Sequence, residues 1–292
     1  MGNNKKIAYL GPRGTFTEEA LLKYLGTVSK NENIYSEKVD KIPCSTITEV
    51  IKNVDRGEVN NGIVPIENSI EGSVNLTLDI LTFESEAKIV AEITIPIKHH
   101  LIGKKGIKLK NIKRIVSHPH AYAQCRIYLN QNFPGAQIIA ANSTAEAVKK
   151  LKEIDEQTVA IGTGIAAGIY GLDILLSDIE DNKDNKTRFA IIGNFIAAKT
   201  KNDKTSIVCF LKKDKPGSLF NILKEFAERD INLTRLESRP AKKDLGDYVF
   251  MIDLEGHIHD KVVYEALESL RNKVYLVKLL GSYPAWKKQE IS

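Results

Sequence analysis

Over the first two thirds of the chain, short apolar runs of strand length alternate with longer segments whose apolar residues recur at helical spacing, the pattern of helices packed on a largely parallel sheet. The runs predict strands over residues 7–10, 62–66, 91–102, 114–117, 137–140, 158–161 and 188–192. Helix starts are equally legible. Thr15 with Glu18, Thr46 with Glu49, and Ser143 with Glu146 each form an S/T-x-x-E capping box ahead of an apolar periodic stretch. Helix N-termini that follow strand ends carry partial positive charge and unpaired N–H groups, so a crevice lined by them favours carboxylates or phosphates. Residues 198–205 turn polar and read as a linker. Beyond it the pattern runs strand 206–211, helix 218–229, strands 233–238 and 248–254, helix 262–270 and strand 274–280, a ferredoxin-like βαββαβ order with a hairpin loop expected over 242–246.

Composition narrows the class. A chain of 292 residues suggests two domains at about 150 residues each. With 42% hydrophobic and 27% charged residues it falls among ordinary globular proteins rather than disordered or membrane ones. A net charge of +5 suits small anions and is mild for a nucleic-acid binder. The three cysteines, Cys44, Cys125 and Cys209, are scattered and suggest neither a disulfide framework nor a thiolate metal site. Lys5 and Lys6 precede too short an apolar run for a signal peptide, and no run approaches the roughly 18 residues of a membrane span, so a cytoplasmic location is expected, with no membrane or nucleic-acid partner.

Two motifs compete for a different chemistry. Gly162-Thr-Gly164-Ile-Ala-Ala167 fits G-x-G-x-x-A after a strand, with Glu180 and Asp181 at about ribose-contact distance, but its helix is cut short by Gly171, which argues against a dinucleotide site. The six histidines fall in three close pairs, His99-His100, His118-Pro-His120 and His257-Ile-His259, yet no third ligand stands near any pair, so no metal is expected. Gly11-Pro-Arg-Gly14-Thr15 lacks the spacing and lysine of a P-loop and reads as a tight βα turn. The remaining polar residues at strand ends are Glu67-Asn68-Ser69, Ser117-His118 and Thr187-Arg188, all directed at one crevice by the α/β pattern.

On these stretches the sequence resembles the prephenate dehydratases, which convert prephenate to phenylpyruvate. The matching segments are Gly11-Pro-Arg-Gly-Thr-Phe16, Val64-Pro-Ile-Glu-Asn-Ser69 with Gly72-Ser-Val74, Ser117-His-Pro119 with Ala123-Gln-Cys125, Asn142-Ser-Thr-Ala145 and Asn185-Lys-Thr-Arg-Phe189. The second module resembles an ACT regulatory domain, through Pro216-Gly-Ser-Leu219 and the phenylalanine signature Glu237-Ser-Arg-Pro240. The resemblance implies an α/β, two-lobed, periplasmic-binding-protein-like catalytic domain over residues 1–200, with lobes at about 1–100 plus 178–200 and 101–177, and an ACT domain over 201–292. It implies no fused chorismate mutase domain and no cofactor. Catalytic roles are implied for Thr187, Asn68, Ser117, Gln124 and Glu67, and substrate contacts for Thr15, Phe16, Ser69, Thr144, Arg188 and Phe189. Gly217, Ser218, Leu219, Glu237, Ser238, Arg239 and Pro240 are the implied effector residues, for L-phenylalanine bound between paired ACT domains of a homodimer or homotetramer.

The chemistry suits these residue types. Prephenate is a dianion that loses a carboxylate as CO₂ and a ring hydroxyl as water, so the site needs anion anchors and a donor to the departing oxygen. Thr15, helix N-termini and Arg188 are expected to hold the pyruvyl carboxylate, and Thr187 to bond the leaving hydroxyl. Departures from the family pattern are Gly217-Ser-Leu-Phe220, whose bulkier Phe220 bears on the effector pocket, His120 in place of a common Gln, and Thr17 in place of a common Ser. The rival readings are a non-catalytic amino-acid sensor on the same fold and an arogenate dehydratase.

Overall fold

The structure is a computed structural model that describes residues 5–31, 39–155, 157–211, 215–242 and 248–286. The expected loop at 242–246 lies outside them except for Lys242. The strands are β1 (Lys6–Leu10), β2 (Asp40–Cys44), β3 (Asn61–Asn68), β4 (Gly72–Ser73), β5 (Lys88–Pro96), β6 (His100–Gly103), β7 (Arg114–Ser117), β8 (Gln137–Ala140), β9 (Thr158–Gly162), β10 (Asp173–Leu176), β11 (Lys186–Gly193), β12 (Asp203–Phe210), β13 (Leu233–Pro240), β14 (Tyr248–Glu255) and β15 (Leu276–Pro284). The helices are α1 (Phe16–Asn31), α2 (Ile47–Asp55), α3 (Asn75–Phe83), α4 (Pro119–Gln124), α5 (Arg126–Asn132), α6 (Thr144–Lys150), α7 (Gly164–Tyr170), α8 (Ser218–Ala227) and α9 (Lys261–Lys273). No helix among the described residues is long and apolar enough to cross a membrane.

The chain divides into two compact units, one of residues 1–50, 63–74 and 94–189, the other of residues 51–62, 75–93 and 190–292. In the first, β1 pairs in parallel with β2, and the order continues β11-β3-β1-β2 with β4 folded back on the end of β3. A second sheet runs β10-β6-β9-β7-β8, with β7 parallel to β8 and β9; β7 and β9 are buried by α4 and α5 on one side and α6 and α7 on the other, while the end strand β8 is mostly exposed. All three capping boxes form. The Glu18, Glu49 and Ser143 turns receive Oγ caps at Glu18 N (3.4 Å), Glu49 N (3.1 Å) and Glu146 N (3.0 Å), and each glutamate accepts from the N–H just before the cap, at Gly14, Ser45 and Asn142.

The single strand expected over 91–102 is two. β5 stops at Pro96, and the next backbone donors leave the ladder: Ile97 N–H bonds Asn185 O (2.9 Å) and His99 N–H bonds the Glu180 carboxylate (2.9 Å) before β6 begins. The break places His99 where no strand neighbour holds its side chain. The G-x-G-x-x-A segment is βα packing. A Cβ on Gly162 would lie 2.3 Å from Val148 Cγ2, Thr163 caps α7 through Ala166 N–H, Glu180 is bound to His99, and Asp181 accepts from the Ile127 and Tyr128 N–H groups. The would-be ribose acids thus serve the backbone.

In the second unit the order is β13-β14-β12-β15-β5, with β12 antiparallel to both β14 and β15. This is the ferredoxin-like arrangement, backed by α8 and α9 over a core of Ile222, Phe226, Ile252, Leu254 and Leu270. The linker is shorter than expected, because Asp203 already belongs to β12 and accepts from Thr200 N–H (2.7 Å) and Oγ1 (2.6 Å). Gly281 touches β5 so closely that a Cβ would lie 2.2 Å from Ile89 O. The Glu237–Arg239 pair shares one face of β13, and Arg239 bonds Asp79 of α3 through Nε at 2.9 Å.

Candidate active site

A cavity of about 340 Å³ opens within the first unit where the ends of β3, β7 and β11 come together. β3 ends at Asn68, whose Oδ1 accepts from the N–H groups of Ile70 (2.9 Å) and Glu71 (3.0 Å), turning the chain into β4. Two backbone donors on Oδ1 leave Nδ2 pointing the other way. It donates to Thr187 Oγ1 (2.8 Å), Asn185 Oδ1 (2.8 Å) and Lys186 O (3.2 Å). Thr187 is 8% exposed at the start of β11, so its hydroxyl receives a bond from Asn68 and keeps its own proton for another acceptor.

The chain of amides continues. Asn185, 1% exposed, uses Oδ1 on Asn68 and donates Nδ2 to Gln124 Oε1 (2.9 Å). Gln124, the last residue of α4, donates Nε2 to Glu71 Oε1 (2.9 Å), and His99 Nε2 lies 2.9 Å from the same Gln124 Oε1. Glu71 Oε2 meets His120 Nδ1 at 2.9 Å. His99 stands edge-on to Phe16, with ring centroids 5.4 Å apart. Burial pulls the His99 and His118 imidazoles below the usual histidine range, the latter helped by neighbouring His120, so both stay neutral near pH 7. Among the described lining residues the charged side chain is Glu71; the others are polar or apolar, including Phe16, Ile97 and Phe189.

Of the residues singled out in the sequence, Thr187, Asn68, Gln124, Phe16, Thr144 and Phe189 line the cavity. Ser117, Glu67, Thr15, Ser69 and Arg188 are not among its lining residues. Ser117 is buried beneath the start of α4 and donates to His118 O (2.9 Å), while Glu67 faces Arg188 Nε at 3.2 Å. The Thr15 hydroxyl is taken up in capping α1 and donates to Leu10 O (3.0 Å). Ser69 Oγ accepts from Lys186 N–H (3.0 Å) and ties the β3 turn to β11. His99, Glu71 and Asn185 are not among the expected site residues; Asn185 opens the Asn-Lys-Thr-Arg-Phe segment and His99 belongs to one of the three histidine pairs, but nothing in the local pattern marks Glu71.

In the second unit, a cavity of about 670 Å³ is lined by Pro216 and Ser218 together with Leu211, Asn221 and Lys273. Gly217 caps α8 with φ 86°, a conformation that favours glycine, and Leu219 follows in the first turn. Glu237, Ser238, Arg239 and Pro240 lie along β13 and do not line that cavity.

Comparison with known proteins agrees over most of the chain. The family described as prephenate dehydratase matches residues 7–195, and the ACT domain family matches residues 205–272. A prephenate dehydratase of Methanocaldococcus jannaschii is 46% identical over 286 residues, covering 97% of this chain and 99% of that protein. A bifunctional chorismate mutase/prephenate dehydratase of Aquifex aeolicus is 44% identical over 285 residues, 98% of this chain and 75% of that one. Among solved structures, a prephenate dehydratase from Arthrobacter aurescens in complex with L-Phe superposes with a TM-score of 0.84 at 39% identity, covering 96% of this chain and 89% of that one.

Proposed function

The chain belongs to the prephenate dehydratase family and is a carbon–oxygen lyase, and on that footing we propose that the Asn68–Thr187 pair drives loss of the prephenate ring hydroxyl in the 340 Å³ cavity, under feedback control by L-phenylalanine at the ACT module. The observation that carries this reading is the direction of the Asn68–Thr187 bond. As the ring carboxylate leaves as CO₂, its bonding pair enters the ring, the C4–O bond breaks, and the departing hydroxyl takes up one proton to become water. Thr187, already accepting from Asn68, donates to that oxygen as negative charge grows on it. A threonine is too weak an acid to surrender its proton outright, so it polarises the oxygen and relays a proton from solvent, assistance worth about 10²- to 10⁴-fold.

The cavity size supports the assignment, since small-ligand pockets run from about 300 to 1,000 Å³. Phe16, Ile97 and Phe189 offer no hydrogen-bond donors from their side chains to the carboxylate that is lost, which favours its departure as neutral CO₂. The pyruvyl carboxylate is held at the first turn of α1, which brings Phe16 and Thr17 to the cavity wall, where Thr144 is also a lining residue. Ser117, Glu67, Ser69 and Arg188 act by shaping the helix and strand ends that carry Gln124, Asn68 and Thr187. Among the described lining residues, Glu71 would suit arogenate, which carries an ammonium in place of the keto oxygen.

For the effector, Pro216 and Ser218 beside an open cavity suit the backbone of a free amino acid, and Glu237 to Pro240 of a second copy would complete the site across a pair of ACT modules. The relative with bound L-Phe supports this reading. The test follows phenylpyruvate by its alkaline absorbance when purified protein is given prephenate or arogenate, with and without phenylalanine. Turnover of prephenate that phenylalanine lowers is expected. No turnover of either substrate by folded protein would favour the amino-acid sensor, and turnover indifferent to phenylalanine would remove the feedback role.

A further inference from the structure

We infer that His99 is a positioning residue of the dehydratase site, holding Gln124 and, through Asn185, the Asn68–Thr187 pair by donating from Nε2–H as the neutral tautomer. This rests on the prephenate reading above. Two backbone groups set the orientation of the first amide. The Ile70 and Glu71 N–H groups fix Asn68 Oδ1, so Nδ2 must face Asn185, and Asn185 must present Oδ1. Its Nδ2 therefore faces Gln124, which must present Oε1 and send Nε2 to the Glu71 carboxylate. His99 Nε2 meets an oxygen that can only accept, so it carries the proton. Each orientation is forced by the one before it.

The rest of His99 is built to hold that ring. Its N–H bonds the Glu180 carboxylate (2.9 Å), its carbonyl accepts from Ile179 N–H (2.8 Å), and Phe16 packs edge-on to the imidazole. The side chain is 2% exposed, and Nδ1 is buried with no hydrogen-bond partner among the described residues, so a second proton there would have nothing to bond. Desolvation by burial separately disfavours the charged ring. His99 thereby links the break between β5 and β6 to the end of α4 and the start of β11, the two elements that carry Gln124 and Thr187.

The test compares His99→Leu with His99→Gln, whose amide nitrogen reaches about as far as Nε2 and donates without titrating. Misplacing a catalytic donor by about 1 Å costs on the order of 10²-fold, so His99→Leu should lower kcat by about that factor with KM changed less than about threefold. His99→Gln should recover kcat to within about tenfold of the parent. Activity is scored per folded protein from melting curves. Unchanged kcat in folded His99→Leu, or His99→Gln as impaired as His99→Leu, would overturn the inference. Long-range ¹H–¹⁵N spectra of the histidine-labelled parent protein give a readout independent of turnover. The resonance absent from His99→Gln should show a protonated Nε2 and a bare Nδ1, and the opposite tautomer would overturn the assignment even if His99→Leu failed to fold. A parent protein that shows the expected tautomer but no turnover of prephenate would instead count against the proposed function.

Discussion

Replacing Asn68 by aspartate isolates the direction of one hydrogen bond. The introduced carboxylate keeps both turn bonds, since Ile70 and Glu71 N–H still find an oxygen, at 2.9 and 3.0 Å in the parent. The other oxygen now faces Thr187 Oγ1, Asn185 Oδ1 and Lys186 O, where Nδ2 had stood at 2.8, 2.8 and 3.2 Å. Of these, Thr187 alone can answer by turning its proton toward the carboxylate, which withdraws it from the cavity. Loss of one aimed donor costs about 10²- to 10³-fold in kcat, or about 2.7–4 kcal/mol. The added charge also repels a dianion: at roughly 6 Å and an effective dielectric near 20 the Coulomb energy is about 3 kcal/mol per carboxylate, so KM rises as well. A carboxylate facing three oxygens titrates above its usual range, because the protonated form can donate where the ionised form cannot. Asn68→Asp should therefore gain activity relative to the parent as pH falls, a signature that Asn68→Ala lacks. Initial rates of phenylpyruvate formation between pH 5 and 8, with melting curves to confirm folding, provide the assay. Parent-like kcat at pH 7.5, or a kcat ratio that does not change with pH, would refute the reasoning.

Three further outcomes concern stability. Lys204→Met should lower unfolding free energy in urea by about 3 kcal/mol, because the 2.8 Å pair with Glu92 lies at 13% and 5% side-chain exposure and its loss takes the lysine ammonium from a buried carboxylate that keeps the Trp286 N–H bond (3.0 Å); a loss under about 1 kcal/mol would show the pair to be solvent-screened. Gly162→Ala should cost about 1–3 kcal/mol by overpacking against Val148 and leave NAD binding undetectable in both proteins; a neutral substitution would contradict the packing account. Glu225 is held to about 2, first by the bond from Lys273 and also by Arg229, so its contribution is full above its ordinary value of 4.5 and lost as pH falls through about 2; the parent should lose more stability than Glu225→Gln between pH 5 and 2, and parallel acid curves would remove the effect.

Much of the fold was legible because its signals are local. The capping boxes at Thr15, Thr46 and Ser143 formed as their spacing required, and β7 and β8 fell at the expected residues. The misses have a physical pattern. β2 reads Asp-Lys-Ile-Pro-Cys with alternate exposure and ends its sheet, so it needs no apolar run; β10 is apolar at Ile174, Leu175 and Leu176 but is a short, half-exposed end strand with a register irregularity. The break between β5 and β6 falls at Ile97-Lys98-His99, where Pro96 ends the ladder and Asn185 O and the Glu180 carboxylate take the next backbone N–H groups; the polar Lys98-His99-His100 step marks it locally, but the acceptors lie far along the chain. For the site, Asn68, Gln124 and Thr187 stood out through resemblance, whereas Thr15 shows why a polar residue at a strand end need not face a ligand: its hydroxyl serves the helix. Glu71 and His99 acquire meaning from partners 53 and 25 residues away, a relation that no window of sequence displays.

The central claim is that the Thr187 hydroxyl, oriented by Asn68, donates to the oxygen that leaves. Single-turnover formation of phenylpyruvate by Thr187→Val and Thr187→Ser measures it most directly, because valine keeps the shape and removes the donor while serine keeps the donor. The account predicts a fall of about 10²- to 10⁴-fold for Thr187→Val with KM little changed, and retention of much of the rate by Thr187→Ser. A folded Thr187→Val protein that turns over prephenate at the parent rate would contradict it.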